Sequence, residues 1–380
     1  MSIDDVYERL LVGVALEGDD AAIRFTTDLQ PTGGPDTRLM PPTYPDGYLE
    51  AERWVDGEPI KTVLLDSYQS QANRVEEGLL DARDDGRVSL PLFEMRVDAE
   101  PWSIRLTSLD FPHRYADAYL RDSTIDGVRF DQTAIGKALR IAEPSNATEL
   151  YHHDPVSLVL GAWNSHRDGR QPKFARVYRS EVIGLQPRAD LRRGGRLDPV
   201  NLQGTIDDKT KREGDWAYLG AGDKKKGGKL SEIGHGNALA DRDSPGGCTV
   251  SGVRRLGALS FAALGRLRFG GLGREATLAG RAALAALALV GDRLAFGGPG
   301  WVFRSGCELT VVADDLGWEL RGGSVEPLAL DVADALALYR HAVAAAAAVG
   351  LPMSTDTVSI EPVPSLRKAI ETSLALADQD

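Results

Sequence analysis

Ile60-Lys61-Thr62-Val63-Leu64-Leu65-Asp66-Ser67-Tyr68-Gln69-Ser70-Gln71-Ala72-Asn73-Arg74-Val75-Glu76-Glu77 passes from a β-branched, aliphatic run directly into a helical pattern. Ile60–Leu65 predicts a strand, and a helix is expected from Ser67 to about Ala82. Asp66 is placed to cap that helix, with Gln69 at its third position, a capping-box arrangement. At about 100° per residue, Tyr68, Ala72, Val75 and Leu79 share one stripe and are expected to face the core. Gln71 and Arg74 fall on one flank, and Gln69, Asn73 and Glu76 on the other. Three carboxamides in five residues need many hydrogen-bond partners. They can satisfy irregular protein backbone, or bond to sugar, phosphate and base edges. The residues alone leave both roles open.

Working outward, helices are expected around Asp4–Leu16, Pro155–Trp163, Glu275–Val290, Asp331–Val349 and Ser365–Ala377, with short ones between Pro112 and Leu139. Strands are expected at Ala22–Thr26, Val88–Val97, Ser103–Leu109, Phe174–Leu185, Thr249–Ser260, Trp301–Phe303, Glu308–Val312, Trp318–Arg321 and Val358–Glu361. The strand runs are not uniformly apolar, so an antiparallel sheet with helices on one face fits better than a doubly wound parallel one. The fold class is α+β. From Arg188 to Gly247 glycines alternate with Lys and Arg, and apolar anchors are too few to close a core. This divides the chain into a body, residues 1–187 and 248–380, and a basic, Gly-rich excursion, residues 188–247.

The 380 residues carry a net charge of −12, unevenly spread. Residues 1–160 hold 15 Lys+Arg against 30 Asp+Glu, residues 161–306 hold 25 against 14, and residues 307–380 hold 4 against 12. Screening acts over about 8 Å at physiological salt, so a polyanion responds to the cationic middle rather than to the total. No apolar run approaches the roughly 18 residues of a membrane span. Cys248 and Cys307 form no CxxC pair. A cytoplasmic protein without disulfides or structural zinc is expected.

Catalytic signatures fail on inspection. Gly271-Leu272-Gly273-Arg274-Glu275-Ala276 matches a dinucleotide fingerprint, with Asp292 beyond it, but a short basic segment precedes it and no βαβαβ half follows. Gly222–Lys229 lacks the G-K-[ST] ending of a phosphate loop. His152-His153-Asp154 has no second ligand cluster at metal spacing, and Asp154 before Pro155 reads as a helix cap. No catalytic residue, metal site or cofactor is expected.

A second stretch, Lys229-Leu230-Ser231-Glu232-Ile233-Gly234-His235-Gly236-Asn237, closes the excursion, and its His235 and Asn237 can bond or stack on a base. Together, Leu65–Glu76 and Ser231–Asn237 resemble the crRNA-binding backbone subunit of the type I CRISPR surveillance complex Cascade, in the subtype first labelled U and now G. Lys173-Phe174-Ala175-Arg176 and Ser180-Glu181-Val182-Ile183-Gly184 match that family's central strand. The similarity covers roughly residues 20–310. It departs at Tyr68, where a small aliphatic residue is expected, and at the Lys224–Lys226 insert.

The resemblance implies a modified RRM-like (ferredoxin-like) palm of the RAMP superfamily, with helical insertions, residues 188–247 forming a thumb or finger. It implies that copies stack head to tail in a helical filament along a guide RNA that pairs with target DNA, beside other Cascade subunits and without cutting. A sequence-neutral filament must hold phosphates and leave base edges free. The expected RNA contacts are Gln69, Gln71, Asn73, Arg74, Lys173, Arg176, Arg179, Lys224, Lys225, Lys226, Lys229, His235, Asn237, Arg254 and Arg255. The alternative is a metal-dependent RNA endonuclease of the RAMP type, with Asp207, Asp208 or Asp215 as its acid.

Overall fold

The structure, a computed structural model, describes residues 2–99, 102–164, 172–191, 195–212, 214–220, 227–239 and 245–377. Its principal elements are α1 (Ile3–Ala15), β1 (Asp20–Pro31), β2 (Glu50–Val55), β3 (Glu58–Asp66), α2 (Tyr68–Asp84), β4 (Tyr178–Leu185), β5 (Gly252–Ser260), α3 (Gly273–Phe296), β6 (Gly300–Arg304), β7 (Cys307–Leu320), β8 (Val325–Pro327) and α4 (Val332–Ala348). The strands form one antiparallel sheet in the order β6–β7–β1–β5–β4–β3–β2, with β8 paired to β7. A second, mixed sheet joins Trp102–Thr107, Leu92–Ala99, Thr357–Pro362, Ser123–Ile125 and Val128–Arg129; Leu92–Ala99 and Thr357–Pro362 run parallel. The α+β expectation holds.

The middle four strands, β7–β1–β5–β4, are fourth, first, third and second in chain order. Helix α2 lies between the first and second, and α3 between the third and fourth. Helices α1, α2 and α4 pack on α3. From Ala282 to Val290 every side chain of α3 is at most 1% exposed. That explains the nine-residue apolar run, which is too short to cross a membrane: a helix apolar on all sides is a core helix. Each buried Leu or Val there stabilises the fold by about 1.5–3 kcal/mol. Helix α2 approaches α3 closely because position 291 is glycine; a Cβ there would lie 2.7 Å from the Val75 side chain.

Three expectations are corrected. The first strand runs twelve residues, not five, because Thr27 and Leu29 continue the inward alternation begun by Ile23 and Phe25. The two strands expected at 308–312 and 318–321 are one, β7, whose acidic middle stays paired to β1. Ser67, not Asp66, caps α2, since Asp66 is still paired to Val182 in the sheet. Asp154 does cap the helix that starts at Pro155.

The excursion continues the β4–β5 hairpin. Arg188–Leu191 pairs with Pro245–Thr249, and Gly195–Arg196 with Ala238–Leu239. Beyond them, Thr205–Ile206 joins Tyr218–Gly220 and Gly228–Lys229 in a small sheet with Ile206 and Leu230 buried.

Candidate nucleic-acid interface

The Asp66–Arg74 block is first of all a structural device. Buried Asp66 accepts hydrogen bonds from Ser70 Oγ (2.7 Å), Gln71 Nε2 (2.6 Å) and Arg74 Nε (3.0 Å). Gln71 Oε1 then accepts from Ser180 Oγ (2.9 Å) and Arg255 Nε (3.0 Å). Arg255 donates onward to Tyr178 and Asp292, and Tyr178 also donates to Asp292 (2.6 Å). Arg293 bridges Asp292 to Asp314, which accepts from Thr27 (2.8 Å). Burial alone would raise the Asp292 carboxyl, but the Arg255 and Arg293 guanidiniums outweigh it and hold it below the usual carboxylate range. The Arg255 guanidinium also sits 4.0 Å from the Phe296 ring centre.

The expected RNA contacts therefore separate. Gln71 and Arg255 are 0% exposed and are withdrawn: inside the core they meet carboxylates, hydroxyls and rings, not phosphate. Arg74 is held by Asp66, by the Phe303 carbonyl (3.1 Å) and over the Phe303 ring. Arg254 is neutralised by Asp28 (2.8 Å) and Asp56 (2.9 Å). Asn237 ties the chain to itself, accepting from the Asp198 N–H and donating to Asn201. Lys224, Lys225 and Lys226 lie outside the described residues.

Two groups remain, one at an end of the main sheet and one in the excursion. At the end where α2 begins, Gln69, Asn73, Lys173 and Arg179 are exposed and Arg176 is half-buried. Lys173 lies 4.3 Å over the Trp163 ring. Arg176 donates one N–H to the Tyr68 carbonyl (3.2 Å). Burial, then the nearby Arg114, makes its charge harder to hold, a strain that a bound anion would relieve. The Tyr68 hydroxyl donates to Glu181 (3.0 Å), which also pairs with Arg53, leaving the ring half-exposed rather than in the core stripe. In the excursion, beyond the two ladders that continue β4 and β5, Lys229 and His235 are exposed, with His235 packed on Trp216 (5.7 Å). From Arg179 to Leu185 the strand alone separates the groups by about 20 Å.

The sheet face turned away from the helices carries Arg24, Thr26 and Asp28 on β1, Arg254, Leu256 and Ala258 on β5, and Arg179 and Glu181 on β4. These positions hold no aromatic ring and so offer no stacking platform; their charges are Arg24, Arg179 and Arg254 beside Asp28 and Glu181. Sequence reasoning missed Arg24. The signal was the inward alternation of Ile23, Phe25 and Thr27, which leaves position 24 facing outward. In the excursion, Asp207 accepts from the Lys209 N–H and Asp208 pairs with Lys211. Among the described residues no three His, Cys, Asp or Glu are grouped to hold a metal, and no helix is long and apolar enough to cross a membrane.

Residues 23–188 match the family described as CRISPR-associated protein GSU0053. The matched region spans β1 to β4 and contains the whole α2 end of the candidate interface. The match supports a CRISPR-associated protein. No curated protein matches the chain.

Proposed function

We propose that this chain is the guide-RNA-binding backbone subunit of a type I CRISPR surveillance complex. It holds the RNA by its phosphates and presents the bases for pairing with target DNA. The observation that carries the reading is the α2 end of the sheet: Arg176 bonds the Tyr68 carbonyl beside exposed Gln69, and Asn73, Lys173 and Arg179 are exposed too, inside the segment that matches a CRISPR-associated family. Such a set bonds phosphate and ribose without reading sequence, as a guide of arbitrary sequence requires. The strand order four-one-three-two, with a helix after the first and third strands, supports an RRM-like, ferredoxin-like palm. The excursion, continuous with β4 and β5, supports the thumb.

In this reading the chain does not cut. Its copies line up along one guide with the other subunits of the complex, in the cytoplasm, and no cofactor takes part. Co-expression with a CRISPR array is the test. Purified protein should carry RNA of guide length, seen as a raised ratio of absorbance at 260 to 280 nm. Protein that emerges free of RNA at low salt refutes the reading. Steady cleavage of complementary RNA by the assembled complex with Mg²⁺ refutes its non-catalytic part.

A further inference from the structure

Arg24, Ala258 and Arg179 occupy one row across three adjacent strands, since Ala258 of β5 is opposite Arg24 of β1 on one side and Arg179 of β4 on the other. The row lies on the sheet face turned away from the helices. On this face Arg53 is paired with Glu181, and Arg254 with Asp28 and Asp56. Arg24 and Arg179 alone have no carboxylate partner among the described residues of these strands, and both are exposed. Two unneutralised arginines flanking an alanine make a shallow cationic saddle. Their α-carbons are two strand spacings apart, about 10 Å, and both side chains are long enough to lean inward over Ala258.

We propose that this saddle is a phosphate-binding site for single-stranded nucleic acid, so that the bound strand crosses the open face of the sheet from the α2 end to Arg24. The inference rests on the function proposed above. Continuity favours nucleic acid over an acidic peptide: Arg179 belongs both to the saddle and to the cluster of Arg176, Lys173 and Gln69. Beyond Arg24 the face turns acidic. Asp315 of β7 is exposed opposite Thr26 and lines, with Arg24 and Pro327, a hollow of about 270 Å³. A polyanion is repelled there, so Arg24 is the far anchor of the track.

Fluorescence anisotropy with a labelled oligouridylate, run across a salt series, tests this on the full chain. Arg24→Ala and Arg179→Ala should each weaken binding by roughly five- to tenfold at low salt and lower the slope of log affinity against log salt by about 0.7. Arg24→Lys should keep most of the slope. Thermal unfolding of Arg24→Ala should match that of the unsubstituted protein, because Arg24 has no partner to lose. If Arg24→Ala binds like the unsubstituted protein while Arg179→Ala does not, the inference is overturned and the wider reading stands. If the unsubstituted protein binds no RNA, both fall. If an oligoglutamate binds in an Arg24-dependent way while RNA binding ignores Arg24, the saddle is a peptide site and the inference is again overturned.

Discussion

Replacing Asp292 by Asn tests whether the buried polar chain holds the palm together. Asp292 is fully buried between Arg255 and Arg293 and accepts from Tyr178 as well. Asn keeps the shape but removes the charge, leaving Arg255, itself 0% exposed, without a counter-ion. Breaking a buried pair from one side costs about 3–5 kcal/mol, because the remaining charge has no solvent to turn to. The Phe296 ring lies under Arg255 with or without the Asp292 carboxylate, so it offsets none of this. The net loss expected for Asp292→Asn is thus about 3–5 kcal/mol, read as a fall in the urea midpoint at unchanged m-value. The pH dependence supplies a second readout. The folded Asp292 carboxyl is held below its unfolded value, so its stabilisation is present above the unfolded pKa of about 3.9 and is lost as pH falls through the folded one. Asp292→Asn should therefore flatten the stability profile below about pH 4. A loss under about 1 kcal/mol would refute the claim that Arg255 depends on this carboxylate.

Burial pushes the Glu76 carboxyl up to about 7 despite its two bonds to Arg114. Its contribution to stability is full below the unfolded pKa of about 4.3 and is lost as pH rises toward 7, by up to about 3 kcal/mol. Glu76→Gln should remove that slope in denaturant titrations between pH 5 and pH 8. Replacing Arg176 and Arg179 together by Ala should weaken RNA binding equally for oligonucleotides of different sequence and lower the salt slope by about 1.4, whereas a sequence-dependent loss would mean that they read bases. Gly291→Leu should destabilise by about 3 kcal/mol or more, because its Cβ alone would lie 2.7 Å from the Val75 side chain; near-normal thermal stability would show that α2 and α3 separate easily.

The elements that sequence reasoning located best are those whose burial follows a local period. Helix α2 shows its core stripe at Ala72, Val75 and Leu79, and α3 its run of small and aliphatic residues. The Asp314–Asp315 dip in β7 was misleading, because Asp314 is held by Thr27 and Arg293, residues distant in sequence. The same reason hid half of the interface. Gln71 and Arg255 are 184 residues apart, and nothing local tells a glutamine that bonds RNA from one that bonds a buried arginine. Lys173 and Arg179 were readable as outward cations of a strand region. Arg254, of the same residue type on the same face, was spoken for by Asp28 and Asp56.

The excursion is rooted in two interior strands rather than at a rim. Its ribbon runs on from β4 and β5, and these are flanked by β3 and β1 on either side. A pull on its tip therefore enters the middle of the eight-stranded array and is shared by ladders on both flanks. Tension applied there should meet the most mechanically resistant part of the molecule, with β2 and β6 at the margins yielding first.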